Sequence, residues 1–178
     1  MVYAITADDF GTVYAGGYFT IAGGIGANYI ARWDALSKTW SSLGSGMSSK
    51  VTALALAEDG TLYAGGYFRT AGGVEVNCVA RWDGTSWSAL GSGMNSIVNA
   101  LVVDDDGTLY AGGVFNMAGG VAANRIARWD GESWSALGSG TDDYVRCLAL
   151  DEDGTLYVGG DFITAGGITV NRIARWGL

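Results

Sequence analysis

The chain of 178 residues carries 18 acidic and 10 basic side chains, has no histidine, and bears a formal net charge of −8. Such an acidic chain repels nucleic acid and anionic lipid, so neither is expected as a partner, and without imidazole the Ser–His and Cys–His nucleophile pairs cannot form. Glycine is abundant (30), proline is absent, and the apolar runs are only of strand length, which points to an all-β protein with no segment of about 18 apolar residues to cross a bilayer.

The chain opens on Met1-Val2-Tyr3-Ala4-Ile5, which lacks the basic region and long apolar segment of a signal peptide and enters the first strand at once. Asp8-Asp9-Phe10-Gly11 closes that strand, and Gly11–Gly17 (Gly-Thr-Val-Tyr-Ala-Gly-Gly) follows. Near-copies of that stretch stand at Gly60–Gly66, Gly107–Gly113 and Gly154–Gly160. The double glycines begin at 16, 65, 112 and 159, and Trp33, Trp82, Trp129 and Trp176 keep step with them. A period of about 47 residues marks a repeat architecture. Four units are expected within a single repeat domain spanning 1–178, at about 2–50, 51–97, 98–144 and 145–178.

The third unit shows the expected elements. Val98–Val103 is a strand closed by Asp104-Asp105-Asp106-Gly107, because a strand-length apolar run ending in Asp-Gly reads as entry into a tight hairpin. Thr108–Gly113 is the second strand, whose small C-terminal residues let another backbone come close. A longer loop, Val114–Val121, contains a second glycine pair, as at 23, 72 and 166 in the other units. Asn124–Trp129 is strand three, and Asp130-Gly131 turns it into strand four, Ser133–Leu137. Each unit is then a four-stranded antiparallel meander with apolar residues on both faces, which needs copies of itself on either side. Radial stacking of such sheets is a β-propeller. The last unit stops at Arg175-Trp176-Gly177-Leu178 and has no fourth strand.

These residues resemble kelch repeats: Tyr-Ala-Gly-Gly on strand two, an aromatic on strand three and Trp on strand four. The Phe-x-x-Ala-Gly-Gly loop is more similar to kelch-like repeats of bacterial surface and secreted proteins, and that resemblance implies an extracellular or cell-surface parent. It also brings galactose oxidase to mind, whose kelch-type propeller holds copper on imidazoles that this chain lacks.

Fourteen of the acidic residues fall on one rim of the expected meander, at the turns after strands one and three: Asp8, Asp9, Glu58, Asp59, Asp104, Asp105, Asp106, Asp151, Glu152, Asp153, Asp34, Asp83, Asp130 and Glu132. Ordinary Asp-Gly turn chemistry accounts for them. A Ca²⁺ loop is the rival reading, but Ala149 stands at its first ligand position and no bidentate carboxylate follows. The tryptophans read as wedges between sheets, with stacking on sugar rings as the alternative. Arg32, Arg81, Arg128 and Arg175 are expected as a buried ladder pairing with the adjacent sheet. The second glycine pair lacks the helix, Lys and Ser/Thr of a phosphate loop and reads as turn chemistry. Cys78 and Cys147 are expected as unpaired small hydrophobes.

No catalytic, cofactor or metal site is expected. The chain reads as a non-enzymatic structural or binding module, with a glycan- or peptide-binding surface or a Ca²⁺-dependent adhesion domain as alternatives. Both end sheets carry apolar faces, so a second copy docking head-to-tail into an eight-bladed ring is expected over closure of four blades alone.

Overall fold

Residues 1–176 are described by the computed structural model. Strand formation follows the alternation of the sequence: along Val51–Leu56 the side chains alternate between fully and partly buried, as a strand covered unequally on its two faces requires. The first blade comprises Val2–Ala7, Val13–Gly17, Ile30–Asp34 and Thr39–Ser42. The second comprises Val51–Leu56, Leu62–Gly66, Val79–Trp82 and Trp87–Ala89. In the third, Val98–Val103, Leu109–Gly113, Ile126–Trp129 and Trp134–Ala136 pair in the same order. The fourth has three strands, Val145–Leu150, Leu156–Gly160 and Ile173–Trp176. All pairs are antiparallel between sequential neighbours, so each blade is a meander.

The first strands of successive blades pack side by side along the arc. Each carries a bulge at the same place, between Val51 and Ala53 or between Val98 and Ala100, for example. The bulged residue reaches across to the next blade: Thr52 Oγ1 donates to the Val98 carbonyl at 2.6 Å, and Asn99 Nδ2 to the Val145 carbonyl at 2.8 Å. These bonds and three apolar clusters hold blade to blade. One cluster joins the first blade to the second, one the second to the third, one the third to the fourth. Phe68, Phe115 and Phe162, each fully buried, anchor them in turn.

The glycines of strand two permit this spacing. A Cβ on Gly65 would lie 2.6 Å from Val98 Cγ1 of the next blade, and one on Gly16 would lie 2.5 Å from Val51 Cγ1. The second glycine pair does not sit in a plain loop, as the sequence predicts, but forms the turn of a small hairpin, such as Thr70–Ala71 with Val74–Glu75. The preceding blade's linker pairs with that hairpin: Met47 bridges to Ala71, Met94 to Ala118 and Thr141 to Ala165. The Gly-Ser-Gly linkers therefore lock neighbours together at the outer rim as the bulges do near the axis.

The arc is open. Among the described residues no buried cluster joins the fourth blade to the first. Ile5 on the leading face is 66% exposed, and Ile173 on the trailing blade is 65% exposed, although their counterparts in the middle blades are covered.

Candidate binding surface

The acidic rim is built from the first and second hairpins. In the first hairpins one aspartate organises the turn: Asp104 Oδ1 accepts the Thr108 amide at 2.7 Å and Asp151 Oδ1 the Thr155 amide at 2.8 Å. In the second hairpins Asp83 accepts from the Ser86 and Thr85 amides, both at 2.8 Å, and from both hydroxyls. The Ser86 amide, followed by the Thr85 hydroxyl and amide, holds the Asp83 carboxyl well below the usual carboxylate range. The Ser133 and Glu132 amides lower Asp130 in the same way. Tyr110, buried beneath the rim, is pushed up to about 12, by burial first and then by Asp104, to which its hydroxyl donates at 3.2 Å.

Between the third and fourth blades these turns border a cleft of about 720 Å³ lined by Asp104–Asp106 and Asp151–Gly154. Among the described residues no three Asp, Glu or Cys side chains converge as ligands for a metal ion. Of the acidic residues expected on one rim, Asp104, Asp105, Asp106, Asp151, Glu152 and Asp153 border this cleft, with Asp104 and Asp151 engaged in their own turns.

The arginines depart from the expected buried ladder. Arg81 and Arg128 are exposed and donate through Nε to Ser88 and Ser135 hydroxyls of strand four in their own blade, at 2.9 and 3.1 Å. Arg32 instead pairs with Asp34 of its own strand at 3.3 Å. The reason is the register. Arg81 lies directly opposite Ser88 on an outer strand pair, so its head reaches water and the hydroxyl before any neighbouring blade. Cys147 also departs from its expected place in an apolar packing: it is exposed, because no further blade covers the face on which it lies, while Cys78 is buried; both are free thiols.

The tryptophans do more than wedge. Trp82 and Trp129 lie within the inter-blade clusters, as the sequence predicts. Each is paired across the hairpin with a fourth-strand tryptophan, Trp87 or Trp134, at centroid distances of 5.3 and 5.5 Å. The fourth-strand ring then reaches the preceding blade: Trp87 Nε1 donates to the Leu43 carbonyl at 3.0 Å and Trp134 Nε1 to the Leu90 carbonyl at 2.9 Å. Sequence reasoning missed this contact. Its signal was the constant offset of 44 residues between leucine and tryptophan.

The opposite rim is formed by the small hairpins and the linkers. A cleft of about 400 Å³ there is lined by Arg69, Glu75, Asn77, Ser92, Met94 and Asn95, with Met117 beside them. At the outer edge of the fourth blade lies a groove of about 490 Å³, bordered by Ala165, Gly166, Ile168, Ile173, Ala174 and Trp176.

Repeated antiparallel four-stranded blades, locked linker to hairpin, define a β-propeller repeat protein. The chain belongs to the family of the Rax2 C-terminal beta propeller domain, whose model matches residues 2–144. Residues 152–175 match a beta-propeller domain of unknown function (DUF5122), and residues 139–162 match the two component regulator propeller. No curated protein sequence matches the chain. Among solved structures it is similar to the RRP9 WD40 repeats, with a TM-score of 0.68 at 18% identity, over 99% of this chain and 46% of that one. It is also similar to the extracellular domain of the putative one component system BT4673 from B. thetaiotaomicron, with a TM-score of 0.62 at 15% identity, over 98% of this chain and 21% of that one. The chain therefore spans less than half the length of these two structural relatives.

Proposed function

We propose that the chain is a non-enzymatic structural and binding module whose four blades close with a second copy into an eight-bladed ring of two-fold symmetry. The kelch-like motifs, Tyr-Ala-Gly-Gly on strand two and the paired tryptophans, fit a repeat of this kind. One observation carries the ring. Gly16 receives Val51 and Leu54 of the next blade, Gly65 receives Val98 and Leu101, and Gly112 receives Val145 and Leu148. Gly159 meets no side chain of a further blade. By the repeat, its partners are Val2 and Ile5, which are 51% and 66% exposed at the other end of the arc. The two ends are therefore complementary to each other, and a head-to-tail contact that returns on itself makes a closed ring.

Light scattering tests this: the expected particle is twice 18.4 kDa. Ile5→Asp, on a face open in the single copy, should leave each chain folded and halve the mass. A stable particle of one chain across a wide concentration range overturns the ring.

A second reading is supported by the cleft on the rim opposite the acidic turns. Its mixture of Arg69, Asn77, Asn95 and Met117 offers hydrogen bonds beside apolar surface, as a glycan or peptide ligand would use. A glycan array separates that reading from a purely structural one. A Ca²⁺-dependent adhesion role for the acidic rim is addressed by calcium titration calorimetry.

A further inference from the structure

We infer that the groove between the first hairpins of the first and second blades docks a basic segment of a partner protein that carries an apolar anchor. Both walls of this groove lie within the described residues. It measures about 390 Å³, and its lining joins Phe10, Tyr14 and Leu56 to Asp9, Glu58 and Asp59.

Two apolar side chains break the repeat here. Phe10 stands where the other units have Asp59, Asp106 and Asp153, and it is 89% exposed. Leu36 sits in the second hairpin, which is longer by two residues than its counterparts at Asp83–Ser86 and Asp130–Ser133, and it is 95% exposed. Among the described residues these are the most exposed large apolar side chains. They lie on turns that touch. A Cβ on Gly11 would lie 3.1 Å from Ala35 Cβ, whereas one on Gly60 or Gly107 would meet nothing within 4 Å. The first turn does not need a phenyl ring: Asp8 Oδ1 accepts the Phe10 and Thr12 amides at 3.0 and 2.8 Å, so Phe10 serves it through its backbone. Apolar surface held side by side in water is what a docking partner covers.

This exposure does not come from the start of the chain. Asp59 and Asp106, which match Phe10, are exposed although their blades have neighbours on both sides, and so are Thr85 and Glu132 in the second hairpins. A further blade of the same repeat would bring another acidic hairpin to this rim, since all four units have one, and like charges do not cover each other. Charge therefore selects the occupant. Lys38 is the single cation in these turns, against Asp8, Asp9, Asp34, Glu58 and Asp59. Turn amides hold Asp8 and Asp59, whereas among the described residues no hydrogen bond engages Asp9 or Glu58. Lysine or arginine of the partner meets these two carboxylates, and a leucine or aromatic side chain packs on Phe10 and Leu36, an apolar centre inside a charged rim. The groove is the same in one copy or in a ring of two, so this inference does not rest on the ring.

The probe is a fluorescein-labelled amphipathic peptide of lysine and leucine, titrated with the intact chain and followed by anisotropy. Saturable binding of one peptide per chain is expected, with slowed amide exchange in the first hairpins of the first and second blades. Phe10→Asp is the deciding variant. It installs the residue of the other repeats and makes the rim more acidic, so binding by charge alone would tighten. Loss of the apolar anchor should instead weaken the peptide about 10-fold. Leu36→Ser should weaken it too, and both variants should melt as the parent does, because these side chains stand in solvent. Ile21→Ser, on the opposite rim of the same blade and equally open to water, should leave binding unchanged. The peptide with serine for leucine should bind more weakly than the original. Equal or tighter binding by Phe10→Asp, equal binding of the two peptides, or no saturation by about 1 mM overturns the proposal. So does an equal loss with Ile21→Ser, or protection confined to the cleft between the third and fourth blades.

Discussion

Trp134 and Trp40 occupy the same place in two blades, but only Trp134 has a blade before it. Trp134 is 5% exposed, stacks on Trp129 at 5.5 Å and donates Nε1 to the Leu90 carbonyl at 2.9 Å. Trp40 keeps the intrablade stack, on Trp33 at 5.6 Å, but is only half-buried, with no such carbonyl among its hydrogen-bond partners in the described residues. Deleting a buried tryptophan to alanine costs about 3–5 kcal/mol. Roughly 1 kcal/mol of this is the indole hydrogen bond, whose loss also leaves a buried carbonyl short of one donor. Trp40→Ala forfeits only the stack and partial burial, about 1.5–2.5 kcal/mol. The expected gap between the two variants is therefore about 0.5–3.5 kcal/mol, readable in urea unfolding as a shift in midpoint at unchanged slope. Trp134→Phe, which keeps most of the ring and removes the N–H, should lose about 1–2 kcal/mol. Equal losses for Trp40→Ala and Trp134→Ala would refute the idea that the fourth-strand tryptophan secures one blade to the previous one.

Gly65→Ala should cost about 1–3 kcal/mol, because its Cβ would meet Val98 Cγ1 at 2.6 Å; adding Val98→Ala should return part of that loss, measured by thermal melting of the single and double variants. Asp83 and Asp130 titrate below their usual range in the folded chain. Their contribution is therefore complete above the unfolded carboxylate pKa of about 3.9 and fades as pH falls through the folded value, so the melting temperature should hold from about pH 7 to 5 and drop below about pH 4. Asp83→Asn with Asp130→Asn should flatten that acid limb in a pH series of melts. Chelation by EDTA should leave the melting temperature within a few degrees; a fall of about ten degrees or more would promote the Ca²⁺ reading of the acidic rim.

The repeat itself was legible in the sequence. A period of about 47 residues, Asp-Gly turns and alternating runs determine four meanders, because hairpins between sequential strands need only local geometry. The open apolar ends were legible too, since Val2 and Ile5 repeat positions that other blades bury. What only the tertiary structure decided lies between blades. Arg81 looks buried by alternation alone, yet the register opposite Ser88 leaves it at the solvent edge. The second glycine pair reads as a loop, yet pairing of Met47 with Ala71 from a different blade helps fix it as a hairpin. The bond from Trp134 to the Leu90 carbonyl joins residues 44 apart through a backbone group common to every residue. No side-chain type announces a carbonyl acceptor, so such a bond becomes visible only when the sheets are stacked.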